Sequence, residues 1–454
     1  MENKKTKISM TQGSLWNNIL KFALPLALTG ILQQLFNAAD TAIVGNFTGD
    51  MGRLAMAAVG ANSPLTGLAI NLFVGFALGT NVVIANSIGR EDPESVSKAV
   101  HTSIVFAVAA GFCIAVIAQI ESPYIFKLLE VPEEDLELAK IYFRIYMGGL
   151  PVIVLYNFEA AIFRGIGDTR TPLMALAISG VLNVLLNIMF VCGFHMTVEG
   201  VAIATVASNA VSSAILFYRL TKNDGWVKIE PKKLAIDLGT LGKIMRIGLP
   251  AGLQSSVFGI ANIIIQSAIN SLGTVVMAAS SAAFNIELFA YYILNSFSQA
   301  CTTFVGQNFG AGKIDRCKKA MLLCFLEGVI AMAGAIAIIL FFGRNILAVF
   351  NRDPDVIETG YIRLMVIFSA YIFTLSYELM SGYLRGFGIS LVPSVLTIIG
   401  ICVTRITWIK TVFKTHKSLG YIMAAYPVSL STTALLILIA LLIIRPSKKY
   451  KLKT

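Results

Sequence analysis

The stretch QQLFNAADTAIVG, residues 33–45, carries Gln33, Asn37 and Asp40 at i, i+4 and i+7 within an apolar run. On a helix that spacing draws one polar stripe, and no basic residue falls within a turn of Asp40 on either side. Amides in such a stripe can hydrogen-bond to neighbouring helices. An acid can also exchange a proton or hold a cation, which marks it as a functional candidate in an apolar setting. Two other patterns offer oxygen atoms to the same cation. VLNVLLNIMF puts Asn183 and Asn187 on one face, and EGVAIATVASNA carries Thr205. Carboxamide and hydroxyl oxygens suit a hard cation, and spacing by itself leaves open whether these side chains converge.

The second half of the chain has its own charges in apolar runs: Glu287, Glu378 and Arg405. Glu287, Tyr291, Asn295, Ser298 and Thr302 recur every three to four residues. They give one helix a polar and aromatic face, suited to a cavity for cationic amphiphiles. The alternative is structural, with Arg405 in a buried ion pair with Glu287 or Glu378.

Helices spanning a membrane must position these residues. The chain has 454 residues, 56% hydrophobic and 13% charged, with a mean hydropathy of +0.76. Soluble domains carry about 25% charged residues, so the expected class is an all-α polytopic membrane protein. Apolar segments of spanning length fall near 19–45, 54–79, 99–120, 138–162, 172–194 and 199–218. Six more fall near 246–270, 277–302, 320–342, 360–383, 391–413 and 419–444. The pattern predicts twelve helices in two six-helix bundles: an N-lobe over 1–220, a cytoplasmic linker over 221–245 and a C-lobe over 246–454. With the N-terminus inside, 25 of the 36 basic residues fall on the cytoplasmic side. That places both termini in the cytoplasm of a cell with the protein in its inner membrane. The net charge of +11 is then a topology signal, and no nucleic-acid partner is expected.

A shift of 221 residues aligns Gly89 with Gly310, Tyr156 with Tyr377, Arg164-Gly165 with Arg385-Gly386 and Pro172 with Pro393. Leu24-Pro25 and Leu249-Pro250 align at 225. Six helices per repeat means that both halves enter the membrane from the same side, as parallel repeats flanking a cleft. FRGIGDTRTP and LRGFGISLVP read as equivalent cytoplasmic turns, with glycines for the turn, arginine at the interface and proline starting the next helix. Their G-x-G lacks the preceding strand and spaced third glycine of a nucleotide site.

On these residues the chain resembles the MATE (multidrug and toxic compound extrusion) transporters of the flippase-like superfamily. The motifs are LP…D-T-x-x-V-G around Pro25, Asp40, Thr41 and Gly45, GLP at 248–250, VGQNFGAG at 305–312 and both RG-x-G turns. The resemblance covers nearly all of the chain. It implies that Asp40, Asn183, Asn187 and Thr205 form a cation-coupling site, with Na+ possible at Asp40, no other metal and no cofactor. Asn187 follows the NorM-like pattern, whereas DinF-like relatives usually have aspartate there. Phe258 stands where NorM-like members carry a seventh-helix glutamate, so a single N-lobe acid leaves both H+ and Na+ open as the coupling ion.

The expected function is a secondary antiporter that exports organic, cationic and amphipathic compounds in exchange for H+ or Na+. It would act as a monomer in the bilayer, with Pro25 as a bending point and Gln33, Asn37, Glu287, Tyr291, Asn295 and Glu378 in the substrate cavity. A lipid-linked saccharide flippase is the alternative, and it calls for cationic residues where this sequence offers few. Neither HExxH nor GxSxG is present, so no enzyme is expected. The six scattered cysteines form no metal or disulfide pattern. His101, His195 and His416 stand alone near helix ends. The first apolar segment is too long for a cleaved leader and lacks a cleavage site.

Overall fold

The computed structural model describes residues 8–48, 51–128 and 133–451. Lys4, Lys5, Lys7, the middle of the acidic outer loop and Lys453 lie outside them. Among the described residues the elements are helices, with no strand. Ten stretches are long and apolar enough to cross a membrane, and two bent helix pairs raise the number to twelve. The protein is an all-α polytopic membrane protein. Phe112, Ile120, Phe341 and Ile443 point outward without protein cover, as a surface solvated by lipid requires.

The first repeat runs through α1 (Leu15–Phe47), α2 (Gly52–Gly89), α3 (Pro93–Leu128), α4 (Glu133–Gly148), α5 (Leu150–Gly165), α6 (Arg170–Ile188) and α7 (Val198–Thr221). The second runs through α8 (Leu238–Asn270), α9 (Thr274–Gly310), α10 (Ile314–Phe341) and the short α11 (Gly343–Phe350). It continues with α12 (Pro354–Ser369), α13 (Tyr371–Gly386), α14 (Leu391–Thr397), α15 (Thr404–Trp408) and α16 (Leu419–Ile444), and α17 (Pro446–Lys451) closes the chain. The starts of α3, α4, α5, α6 and α7 recur 221 residues later as those of α10, α12, α13, α14 and α16. The repeat read from a few glycines and arginines is therefore a repeat of helix boundaries.

Bends recur with it. The α4–α5 and α12–α13 pairs each bend by 46°. The two RG-x-G turns close identically: Gly167 N–H donates to Arg164 O and Asp168 N–H to Phe163 O, while Gly388 N–H donates to Arg385 O and Ile389 N–H to Leu384 O. That double bond is a helix C-cap whose extra residue sits in the left-handed region. Gly167 at φ 89° and Gly388 at φ 80° supply it.

The chain forms two compact units. Unit 1 holds residues 29–88 and 92–252, and unit 2 holds 8–28, 89–91 and 253–454. Helices α1 and α8 thus change unit within three residues of Pro25 and Pro250. A proline inside a helix removes one backbone hydrogen bond and allows bending there. Unit 1 is cored by edge-to-face rings, Phe73 to Phe76 to Phe106 to Phe158, and unit 2 by contacts such as Phe22 on Phe304. The segment after α7 is fastened to unit 1 by His101, which is buried. Its Nδ1–H donates to Ser97 O at 2.7 Å and its Nε2 accepts from Glu230 N–H at 3.0 Å.

Within unit 1, α2 and the first part of α8 meet through paired small residues, Gly75 and Gly79 against Gly248 and Gly252. A methyl group on Gly75 would collide with the Gly252 backbone. Close approach of this kind replaces hydrophobic driving force inside a membrane. Gly75→Ala should therefore lower the thermal midpoint of the purified protein, by about 1–3 kcal/mol of overpacking. Gly67→Ala, with nothing within 4 Å of the added carbon, should leave the midpoint unchanged or raise it.

Candidate functional site

Asp40 lies in the second half of α1, within unit 1, and its carboxylate meets donors from two other helices. Asn187 Nδ2, on α6, donates to Asp40 Oδ1 at 2.6 Å. Thr205 Oγ1, on α7, lies 3.3 Å from Asp40 Oδ2 and 2.9 Å from Val201 O, so one hydroxyl proton is shared between two acceptors. Asn187 also donates to Asn183 Oδ1 at 3.3 Å. Both its amide protons are then committed, and its own Oδ1 is buried with no partner among the described residues. Two side chains from α6 and α7, each more than 140 positions from Asp40 in sequence, thus converge on its carboxylate, and Asn183 joins through Asn187.

The approach of α1 to α6 depends on Gly180, where any side chain would run into the Phe36 ring. Because Gly180 precedes Asn183 by three residues, it faces the same way as the amide. Tyr142 and Tyr146 of α4 stack at 5.8 Å and lie within the field of Asp40. Among the described residues no basic side chain is a partner of Asp40. Gln33 and Asn37 are exposed and stand outside this hydrogen-bonded group.

Unit 2 arranges its charges differently from the sequence expectation. Glu287 on α9 pairs with Arg363 of α12 at 3.6 Å and accepts from Tyr371 OH at 3.2 Å. Arg405, on α15, has no carboxylate within ion-pair distance among the described residues. It donates through Nε to Ser429 Oγ at 2.9 Å instead. The alternative of an ion pair between Arg405 and Glu287 or Glu378 is not what forms: Arg363 pairs with Glu287, and Arg385 is the arginine near Glu378. Glu378 is buried on α13 within the field of Arg385. Tyr291, Asn295 and Gln299 form a ladder along α9, Gln299 Nε2 to Asn295 Oδ1 at 2.7 Å and Asn295 Nδ2 to Tyr291 OH at 3.5 Å.

Sequence reasoning missed four buried charges. Arg363, inside the segment 360–383, drew no role, and Arg385 is expected at the interface, yet they are 2% and 8% exposed. Arg385 donates to Gln254 Oε1 at 2.7 Å. Glu159 accepts from Ser213 Oγ at 2.8 Å, and Glu327 has both oxygens buried without a partner among the described residues. VLYNFEAAIF and CFLEGVIAM carry the signal for these two acids, a lone acid in an apolar run. Among the described residues no group of three His, Cys, Asp or Glu side chains could hold a metal ion.

The MatE family model matches residues 25–189 and 250–408. A probable multidrug resistance protein of Bacillus subtilis, YoeA, is 25% identical over 433 residues, 93% of each chain. A probable multidrug resistance protein of Thermotoga maritima, NorM, is 25% identical across 86% of this chain and 83% of its own. A solved structure, the outward-facing conformation of a multidrug resistance MATE family transporter, superposes with a TM-score of 0.90. It is 23% identical and covers 99% of this chain and 100% of that one.

The Glu287–Arg363 pair can be weighed directly. Removing one partner of a buried pair leaves an uncompensated charge, at a cost of about 3–5 kcal/mol. Glu287→Gln should lower the thermal midpoint of the purified protein sharply. Glu287→Gln combined with Arg363→Met should recover most of the loss, which a double-mutant melting series reads out.

Proposed function

This chain belongs to the MatE family, and we propose that it is a multidrug exporter that exchanges organic compounds for H+ or Na+. The observation carrying the proposal is the convergence of Asn187 and Thr205 on Asp40. A carboxylate held by donors that bear no positive charge keeps its own charge available for an incoming cation. The orphan Oδ1 of Asn187 is a further oxygen ligand of the kind that a hard cation uses. A proton would satisfy the same carboxylate by neutralising it.

In this account the coupling ion reaches Asp40 from outside. Its arrival removes the demand that Asp40 makes on Asn187 and Thr205, and α1 is freed to repack beyond Pro25. That helix changes unit just after its proline, so a bend there bears on both units. The relatives' names point to several drugs as substrates, and an unneutralised carboxylate favours organic, cationic and amphipathic ones. Asp40 with the stacked Tyr142 and Tyr146 offers charge and rings to such a compound. We assign further contacts within unit 1 to Gln33 and Asn37 on α1, and treat Tyr291 and Asn295 on α9 as a separate substrate surface of unit 2. Glu287 and Glu378 contribute less cation affinity than the sequence suggests, because each has an arginine nearby. The protein works as a monomer in the cell membrane, with both termini in the cytoplasm.

Asp40→Asn removes the exchangeable charge and keeps the shape. In a drug-sensitive host with matched expression, it should abolish resistance to cationic dyes and their efflux. Unchanged efflux at normal expression would remove Asp40 from the mechanism.

A further inference from the structure

Unit 2 buries three arginines, and their partners are unequal. Arg363 is balanced by Glu287. Arg385 lies in the field of Glu378 and bonds Gln254. Arg405 is 3% exposed, has no carboxylate within ion-pair distance among the described residues, and shares the Tyr426 ring with Arg363, whose guanidinium carbon lies 5.9 Å from its centroid. The Arg405 guanidinium carbon lies 4.2 Å from the centroid of the Tyr426 ring and 5.7 Å from that of Phe258, and its Nε is bonded to Ser429. Its two terminal nitrogens make no hydrogen bond to any described residue. A buried charge without a counter-ion costs several kcal/mol, and in a membrane span such a charge marks a functional place.

The repeat gives an independent second argument. At the 221-residue shift, Asn183 corresponds to Thr404, Val184 to Arg405, Thr205 to Tyr426 and Ser208 to Ser429. The helices that hold Arg405 are thus the counterparts of those that serve Asp40. Asp40 itself maps to Ala261 or Ile265, depending on whether the shift is 221 or 225, so the acid is gone. The local backbone irregularity is shared as well. A π-helical segment, Met189–Gly193, follows Asn187 and its neighbour Ile188, and another, Ile409–Phe413, follows the counterpart Trp408. A further π segment, Ile398–Val403, precedes Arg405. Such insertions cluster at functional sites, where they re-aim side chains.

We propose that Arg405, with Ser429 and the rings of Tyr426 and Phe258, forms an oxyanion-binding site in the second repeat. The ligand is the carboxylate or phosphate group of an amphiphile whose apolar part lies along the two rings. A planar guanidinium with two free terminal nitrogens presents a fork that matches the two oxygens of such a group. Ser429 holds the fork by its Nε and leaves the other end open. The second repeat thereby carries the same site as the first with the sign of its charge reversed. Two sources share this chemistry, the phosphate of an anionic lipid and the carboxylate of a transported compound.

The test uses the full-length protein in phosphatidylcholine nanodiscs, with 2-naphthoate and its uncharged methyl ester as probes in titration calorimetry. Wild type should bind naphthoate saturably and at least about tenfold more tightly than the ester, a difference of about 1.4 kcal/mol. Arg405→Lys should keep a reduced preference, and Arg405→Gln should bind both probes alike. Adding phosphatidylglycerol to the discs separates the sources. A rise in the apparent Kd for naphthoate identifies a lipid phosphate as occupant, and no rise identifies a transported oxyanion. The proposal is overturned if wild type shows no saturable naphthoate binding or no preference over the ester. It is equally overturned if monodisperse Arg405→Gln keeps the wild-type preference. The wild-type comparison stands even where a variant fails to fold. Because no ion gradient is involved, either outcome leaves the exchange mechanism at Asp40 to its own test.

Discussion

A carboxylate set in an apolar helix bundle draws on donors that the protein supplies, because its surroundings solvate a charge poorly. The fold of unit 1 satisfies that demand at Asp40. The bare backbone of Gly180 lets α1 approach α6, the i, i+4 pair Asn183 and Asn187 turns amides toward it, and Thr205 closes the group from α7. None of the donors is charged, so the arrangement holds the acid without neutralising it. A salt bridge would have fixed the charge permanently. Amide and hydroxyl donors leave it open to exchange, and the proposed coupling of transport to an ion rests on that difference.

The two repeats share helix boundaries, bends and C-caps but differ in where charge is placed. In unit 1 an acid stands among neutral donors. In unit 2 the acids Glu287 and Glu378 each have an arginine nearby, and the surplus cation is Arg405. Duplicated architecture fixes the backbone geometry of a site and leaves its sign to individual residues. The exchange of Asp40 for an alanine or isoleucine, with an arginine one position from the counterpart of Asn183, is enough to reverse it.

Much of this was legible in the sequence. Hydropathy located twelve spans because lipid requires about 20 apolar residues per helix, and the repeat emerged from glycines and arginines that turn geometry demands. Helix spacing marked Asp40, Asn183, Asn187 and Thr205 one by one, and only the family resemblance grouped them, because convergence between distant helices is not written in spacing. Arg363 and Arg385 could not be placed, since a charge near the end of an apolar run reads as the end of the span. Here Arg363 lies inside α12 and Arg385 in the last turn of α13, and both are buried by their neighbours. Which acid meets which arginine is settled by packing between helices far apart in sequence. That is why Glu287 was offered Arg405 when its partner is Arg363.

The central claim is that one exchangeable charge, at Asp40, couples ion movement to export. Purified protein reconstituted into vesicles, with H+ and Na+ gradients imposed separately, measures it most directly. Wild type should accumulate a cationic dye against its gradient under at least one of the two ion gradients, and Asp40→Asn under neither. Gradient-driven accumulation by Asp40→Asn equal to wild type would contradict the account.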